Sequence, residues 1–164
     1  MTMWVRAADE ADLPAIVAIY NDAVLNTTAI WNDTMTDVAG RRPWFRERLS
    51  RNYPVLVADD GGAVVGYASF GDFRPFEGFR ISVEHSVYVA DGARGRGVGR
   101  ALVEALMPPA RALGKRVMIG GIDASNVASL ALHAKLGFVE TARMPGIGTK
   151  FGRRLDLVFM QKEL

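Results

Sequence analysis

One carboxylate, Glu84, stands in a β-branched run, Glu84-His85-Ser86-Val87-Tyr88-Val89. Five residues later comes the glycine-dense stretch Arg94-Gly95-Arg96-Gly97-Val98-Gly99-Arg100. An extended segment, a tight turn and an apolar-periodic helix beginning at Val98 follow one another there. Without a Cβ, Gly97 and Gly99 let the backbone curl and approach a ligand closely. Successive N–H groups and the positive end of the new helix would then cradle an anion, with Arg94, Arg96 and Arg100 adding positive charge. A carboxylate just upstream is a candidate general base. The combination suggests an enzyme that holds a phosphorylated carrier and moves a proton beside it. Taken alone, the glycines and arginines read equally well as an ordinary basic turn before a helix. No Lys-Ser/Thr follows the glycines, which excludes a P-loop, and no acidic ribose contact on a following strand supports a dinucleotide site.

A second group lies on the segment 126–136. Asn126, Ser129 and His133 recur at i, i+3 and i+7 and share one helical face, while Val127, Leu130, Ala131 and Ala134 form an apolar stripe on another. An Asn amide suits an amide-bearing carrier arm, and a histidine exchanges protons near neutral pH. The alternative is a helix cap at Asn126, a solvated Ser129 and a surface His133.

Around these groups the 164 residues suit one compact domain, 1–164, with 49% hydrophobic and 23% charged residues. The net charge of +2 and the lack of a long basic block disfavour nucleic acid as a partner. The absence of cysteine removes disulfides and thiolate chemistry, and two histidines are too few for a convincing metal centre. No leader pattern or bilayer-length apolar stretch is present, so a cytoplasmic location without membrane contact is expected.

The periodicities predict strands at 3–7, 55–58, 64–70, 82–89, 117–122, 138–142 and 155–160. They predict helices after Asp9, over 37–51 with Trp44, Phe45 and Leu49 buried, from Val98, and over 126–136. Asp59-Asp60-Gly61-Gly62 signals a hairpin. Pro108-Pro109 should kink or stop the third helix. Segments 26–36, carrying Trp31, and 71–78 read as loops, and 145–154 as an interruption between the last two strands. Strands and helices thus mix in one α/β unit.

Both groups, with several further stretches, are similar to one family. The chain resembles a GNAT-type N-acetyltransferase, with its R-x-x-G-x-G/A signature at Arg94, Gly97 and Gly99. It looks like the phosphinothricin acetyltransferase branch in the stretches 20–24, 83–89, 126–138 and 150–156. It resembles most the subgroup acetylating methionine sulfoximine and methionine sulfone, in 28–32 and Gly71-Asp72-Phe73-Arg74-Pro75-Phe76-Glu77-Gly78-Phe79-Arg80. Phe73 and Phe79 stand where many branch members have Trp and Tyr.

The resemblance implies a GNAT fold, a single mixed sheet of about seven strands with flanking helices, splayed at the cofactor-binding strand. It implies acetyl-CoA as co-substrate, its pantetheine arm along Val87, Tyr88 and Val89. Its pyrophosphate would lie on Gly95, Arg96, Gly97, Val98, Gly99 and Arg100, and Asn126 would touch the arm. Glu84 would be the general base and the Val87 N–H would polarise the thioester carbonyl. His133 stands where wider relatives carry a tyrosine thought to protonate the leaving thiolate; water is the alternative. Arg74, Pro75, Phe76, Arg80, Glu84, His85 and Ser86 would form the acceptor site, with the His85 ring packed on the opposite strand face. The acceptor would be a small amino acid and the protein a homodimer. Three alternatives remain: phosphinothricin or another amino acid as acceptor, acetylation of protein N-termini or lysines, and a non-catalytic acetyl-CoA-binding module.

Overall fold

The computed structural model describes residues 2–164. Seven strands form one sheet in the order β1-β2-β3-β4-β5-β7-β6. They are β1 (Met3–Ala7), β2 (Val55–Asp60), β3 (Ala63–Asp72), β4 (Ser82–Val89), β5 (Val117–Asp123), β6 (Val139–Lys150) and β7 (Arg153–Glu163). Four α-helices flank it: α1 (Leu13–Asn26), α2 (Val38–Ser50), α3 (Val98–Ala112) and α4 (Val127–Lys135). All neighbouring strands are antiparallel except β4 and β5, which the α3 crossover makes parallel.

The β2–β3 hairpin turns at Gly61 and Gly62, with φ of +65° and +92°, the two left-handed residues that a two-residue turn demands. Strand alternation then sorts the side chains. Ala68, Phe70 and Val83 join Val98, Leu102, Val103, Leu106 and Ala110 of α3 on one face. Val55, Val57 and Tyr67 meet Leu13, Ile16, Ile19 and Phe45 of α1 and α2 on the other. Leu102 and Leu106 are fully buried, each contributing about 1.5–3 kcal/mol of transfer free energy.

Four expectations are corrected. The third helix runs through Pro108 and Pro109 to Ala112; burial of Leu106, Met107 and Ala110 offsets the two missing donors. Leu49 is 47% exposed, so α2 packs through Phe45 and the half-buried Trp44. The segment 145–154 is not an interruption, because β6 and β7 form a long hairpin turning at Phe151 and Gly152, both left-handed. Pro145 is accommodated at an irregularity on this edge strand. Finally, α4 turns the other way: Val127 is 73% exposed and Ala131 and Ala134 face outward, while Leu130, Leu132 and His133 pack inward. The buried His133 finds polar partners inside, so the polar face can be the packed one.

Candidate active site

β4 and β5 pair only from Ser82↔Val117 to His85↔Gly120 and then diverge. The β4 backbone fixes what faces the gap. Ser82 C=O and Ala90 N–H bond towards β3, whereas Ile81 C=O bonds towards β5. Odd-numbered residues therefore aim their N–H and C=O groups at β5. Val83 and His85 meet it there, and Val87 and Val89 are left facing the gap, where Val89 C=O accepts a long bond from Arg94 Nε at 3.4 Å. A cavity of about 300 Å³ occupies this gap, bounded by Glu84, Ser86, Tyr88, Trp31, Asn126 and His133 among others.

At one end of the gap lies the glycine turn. Gly95 and Gly97 have φ of +74° and +82°, and Gly97 caps α3 without a side chain. The amide N–H groups from Gly95 to Arg100 find no acceptor among the described residues. Six donors in one curl at a helix N-terminus form an anion cradle. The arginines are partly occupied elsewhere: Arg96 pairs with the buried Asp60 at 2.8 Å, Arg94 with Asp91 and Arg100 with Glu104, each at 3.0 Å. The backbone is thus the main unpaired positive element. Gly99 has a second role. A Cβ there would meet Leu132 and Val89, so this glycine also serves packing of α3 against α4 and β4.

Glu84 shares the β4 face with Ser86 and Tyr88, opposite the α3 side. Burial pushes its carboxyl above the ordinary glutamate range, and the charge of Arg74 partly opposes this. A Cβ on Gly121 would lie 2.9 Å from Glu84 Oε2, so Gly121 keeps room for the carboxylate. Tyr88 stacks against Tyr67, with centroids 5.3 Å apart. Asn126 Oδ1 accepts from Ser129 N–H at 3.1 Å, so its amide both caps α4 and borders the cavity.

His85 lies on the α3 side, as strand alternation predicts, and is buried against His133 and Phe138. His85 Nδ1 donates to Ile119 C=O at 3.0 Å and His133 Nδ1 to Ser129 C=O at 2.7 Å. The two Nε2 atoms stand 2.9 Å apart. A carbonyl only accepts, so both Nδ1 atoms carry protons and the Nε2 contact holds none while both rings are neutral. Burial favours that neutral state. It lowers the pKa of His85 to about 3, helped by His133, and that of His133 in the same direction. His133 is only 2% exposed, which overturns the surface reading.

The loop residues fare differently. Arg74, Pro75, Phe76 and Arg80 do not border the cavity. Phe76 is 70% exposed, Arg74 leans over Phe73, and Arg80 bonds Glu77 C=O. Phe73 packs edge-on against Phe79 and Phe159. In their place the structure brings Gly120, Gly121 and Asp123 to the cavity, none of them anticipated as site residues, together with Ser129 of the Asn126–His133 face. The Gly120-Gly121 pair inside a strand was the available signal, since glycine there marks close approach. A Cβ at Gly120 would strike His85.

Residues 16–138 match the Acetyltransferase (GNAT) family. The chain is 57% identical to the L-methionine sulfoximine/L-methionine sulfone acetyltransferase of Pseudomonas paraeruginosa, over 100% of this chain and 96% of that one. The phosphinothricin N-acetyltransferase of Alcaligenes faecalis is more distant, at 39% over 98% and 82%. Among solved structures, yncA of Salmonella typhimurium, determined with its cofactor acetyl-CoA, superposes with a TM-score of 0.97 at 54% identity, covering 100% and 95%. The chain belongs to the GNAT acetyltransferases. It is an acyltransferase, and its acetyl donor is acetyl-CoA.

Proposed function

We propose that the protein acetylates the α-amino group of a small L-amino acid with a neutral, strongly hydrogen-bonding head group, such as L-methionine sulfoximine or L-methionine sulfone. The observation that carries this reading is the 57% identity, end to end, with an enzyme named for those two acceptors. The cavity suits the ammonium end of such an acceptor, since the carboxylates of Glu84 and Asp123 border it, and the charge of Arg74, which reaches Glu84, is left for the acceptor's α-carboxylate.

The unpaired backbone fits the donor. Val87 and Val89 would pair with the amide groups of the pantetheine arm as a missing strand would, and the N–H groups of 95–100 would hold the pyrophosphate. Acetyl-CoA supplies the electrophilic thioester carbonyl. Val87 N–H donates to that carbonyl oxygen and favours the negative charge that grows on it. Glu84 takes a proton from the acceptor ammonium, directly or through one water, and frees the attacking amine. Its raised pKa brings its basicity closer to that task. The one ring proton of neutral His133 is held by Ser129 C=O, and burial keeps the ring from taking a second, so it has no proton to spare for the departing sulfur. We therefore give the return of a proton to the departing sulfur to water, and treat His133 as a group that shapes the gap floor. A homodimer belongs to the same reading, supported by exposed Val139, Met144 and Ile147 on the edge strand β6.

Competition between acceptors at saturating acetyl-CoA tests the substrate class. Methionine sulfone and sulfoximine should exceed phosphinothricin in kcat/KM by at least about tenfold, or about 1.4 kcal/mol. With Arg74 taken by the α-carboxylate, a second anion would lie beside Glu84 and Asp123 with no cation on the cavity border among the described residues. Equal or better turnover of phosphinothricin overturns the acceptor reading and leaves the family intact.

A smaller substitution tests the geometry around Glu84. Gly121→Ala should leave folding and acetyl-CoA affinity unchanged, since the carboxylate can swing aside. That displacement should lower kcat/KM by about 10–100-fold. Steady-state kinetics beside calorimetric titration checks it, and unchanged kinetics would show that the observed carboxylate position is not required.

A further inference from the structure

The stretch 150–156, singled out in the sequence, has no part in the chemistry above. Its first residue is unusual. Lys150 ends β6 and is 3% exposed, yet no carboxylate lies within ion-pair distance of its ammonium among the described residues. Nζ instead donates to the carbonyls of Thr27, at 2.6 Å, and Ile30, at 2.5 Å. Burial lowers its pKa, opposed by the more distant Asp33. A buried ammonium held by two carbonyls and the neighbouring Phe151 ring, with no carboxylate partner, costs desolvation that a methionine of similar length would avoid. Its return is positional, because it ties an irregular segment to the β6–β7 hairpin.

That segment carries Trp31, which borders the cavity. Further bonds hold it: Thr28 Oγ1 donates to Asp123, Trp31 Nε1 to Thr28 C=O at 2.8 Å, Thr27 Oγ1 to Ala23 C=O at 2.7 Å and Asn32 Nδ2 to Tyr20 Oη at 3.0 Å. The hairpin also makes room for the indole. A methyl group on Gly148 would fall within the Trp31 ring. One short stretch of β6 thus supplies both the tether and the seat.

We propose that Lys150 is a positioning residue for acceptor selection, fixing the Trp31 wall of the cavity through the carbonyls of Thr27 and Ile30. This rests on the acceptor reading given above. Glu84 and the glycine turn lie outside the clamp, so its loss should act on acceptor binding and spare donor binding.

The test uses a background with Trp4→Phe and Trp44→Phe, where Trp31 is the sole tryptophan. Lys150→Met should raise the KM for L-methionine sulfone by about tenfold or more, as for a misplaced positioning group. The KM for acetyl-CoA should stay unchanged, and acrylamide quenching of Trp31 fluorescence should increase. Lys150→Arg, which restores donors, should recover part of both effects. Should Lys150→Met fail to fold, Lys150→Gln, which is shorter and uncharged and cannot reach both carbonyls, should give the same pattern. Wild-type acceptor KM and wild-type quenching in the folded variant overturn the proposal. Quenching is read without acceptor, so it still decides the clamp if no amino acid is acetylated, an outcome that instead overturns the acceptor reading.

Discussion

Glu84→Gln should lower kcat/KM by roughly 10²–10⁴-fold at neutral pH while leaving acetyl-CoA affinity unchanged, the usual scale for a lost general base. Glutamine keeps the volume of the side chain and removes only its basicity. The pH profile carries the sign. Glu84 must be ionised to act, so kcat/KM of the native enzyme falls as pH drops through its pKa, which burial places above the ordinary glutamate range. That acid limb should vanish in the variant. Stability should move the other way. A carboxyl with a raised folded-state pKa binds its proton more tightly when folded. Its ionisation therefore costs stability as pH rises from the unfolded-state pKa through the folded-state pKa, and the cost persists above. Glu84→Gln removes that cost at neutral pH, so its melting temperature should not fall. Steady-state kinetics across pH, thermal melts and kcat at saturating acceptor together check this. A wild-type kcat would remove Glu84 from the chemistry.

Gly97→Asp should abolish measurable acetyl-CoA binding in a protein that still folds. A Cβ at this position meets nothing within 4 Å. Its φ of +82° is a left-handed conformation that aspartate tolerates better than most residues, at roughly 1–2 kcal/mol. An aspartate at a helix N-cap also supplies an acceptor for the open N–H groups and recovers part of that strain. It does so by placing a carboxylate where the pyrophosphate is expected. Two unit charges about 4 Å apart repel by about 4 kcal/mol at an effective dielectric of 20, close to a thousandfold in affinity. Gly97→Asn carries the same backbone strain without the charge and should lose far less. Calorimetric titration with acetyl-CoA separates the two variants. Near-normal affinity in folded Gly97→Asp would place the pyrophosphate elsewhere.

Much of the sheet was legible because its signals are local. The alternation in β4, the Gly61-Gly62 turn and the Asn126 cap with Gly137 beyond the end of α4 each lie within a few residues of what they determine. The errors arose where tertiary packing outweighs local preference. Two prolines look like a helix stop until Leu106 and Ala110 anchor the turns on either side. Histidine reads as a surface residue until His85 and the Ser129 carbonyl meet it inside. The glycine turn and the strand carboxylate identified one side of the candidate site from their spacing. The other side depends on β5 running beside β4, on the segment 27–31 folding over the gap, and on Lys150 reaching that segment from 120 residues away along the chain. Pairings over such distances leave no periodic trace.

The four residue pairs joining β4 to β5 have a mechanical meaning. Every other seam of the sheet is longer, so the molecule has a notch, and the donor would be seated in it. A polypeptide plate cracks along its shortest seam, and local opening follows the line of fewest bonds. Acetyl-CoA laid along Val87 and Val89 would bridge that line and stabilise the closed plate by mass action. The same molecule is then reagent and rivet. On that placement the enzyme would be stiffest when charged with donor and would loosen along the notch each time the spent carrier leaves.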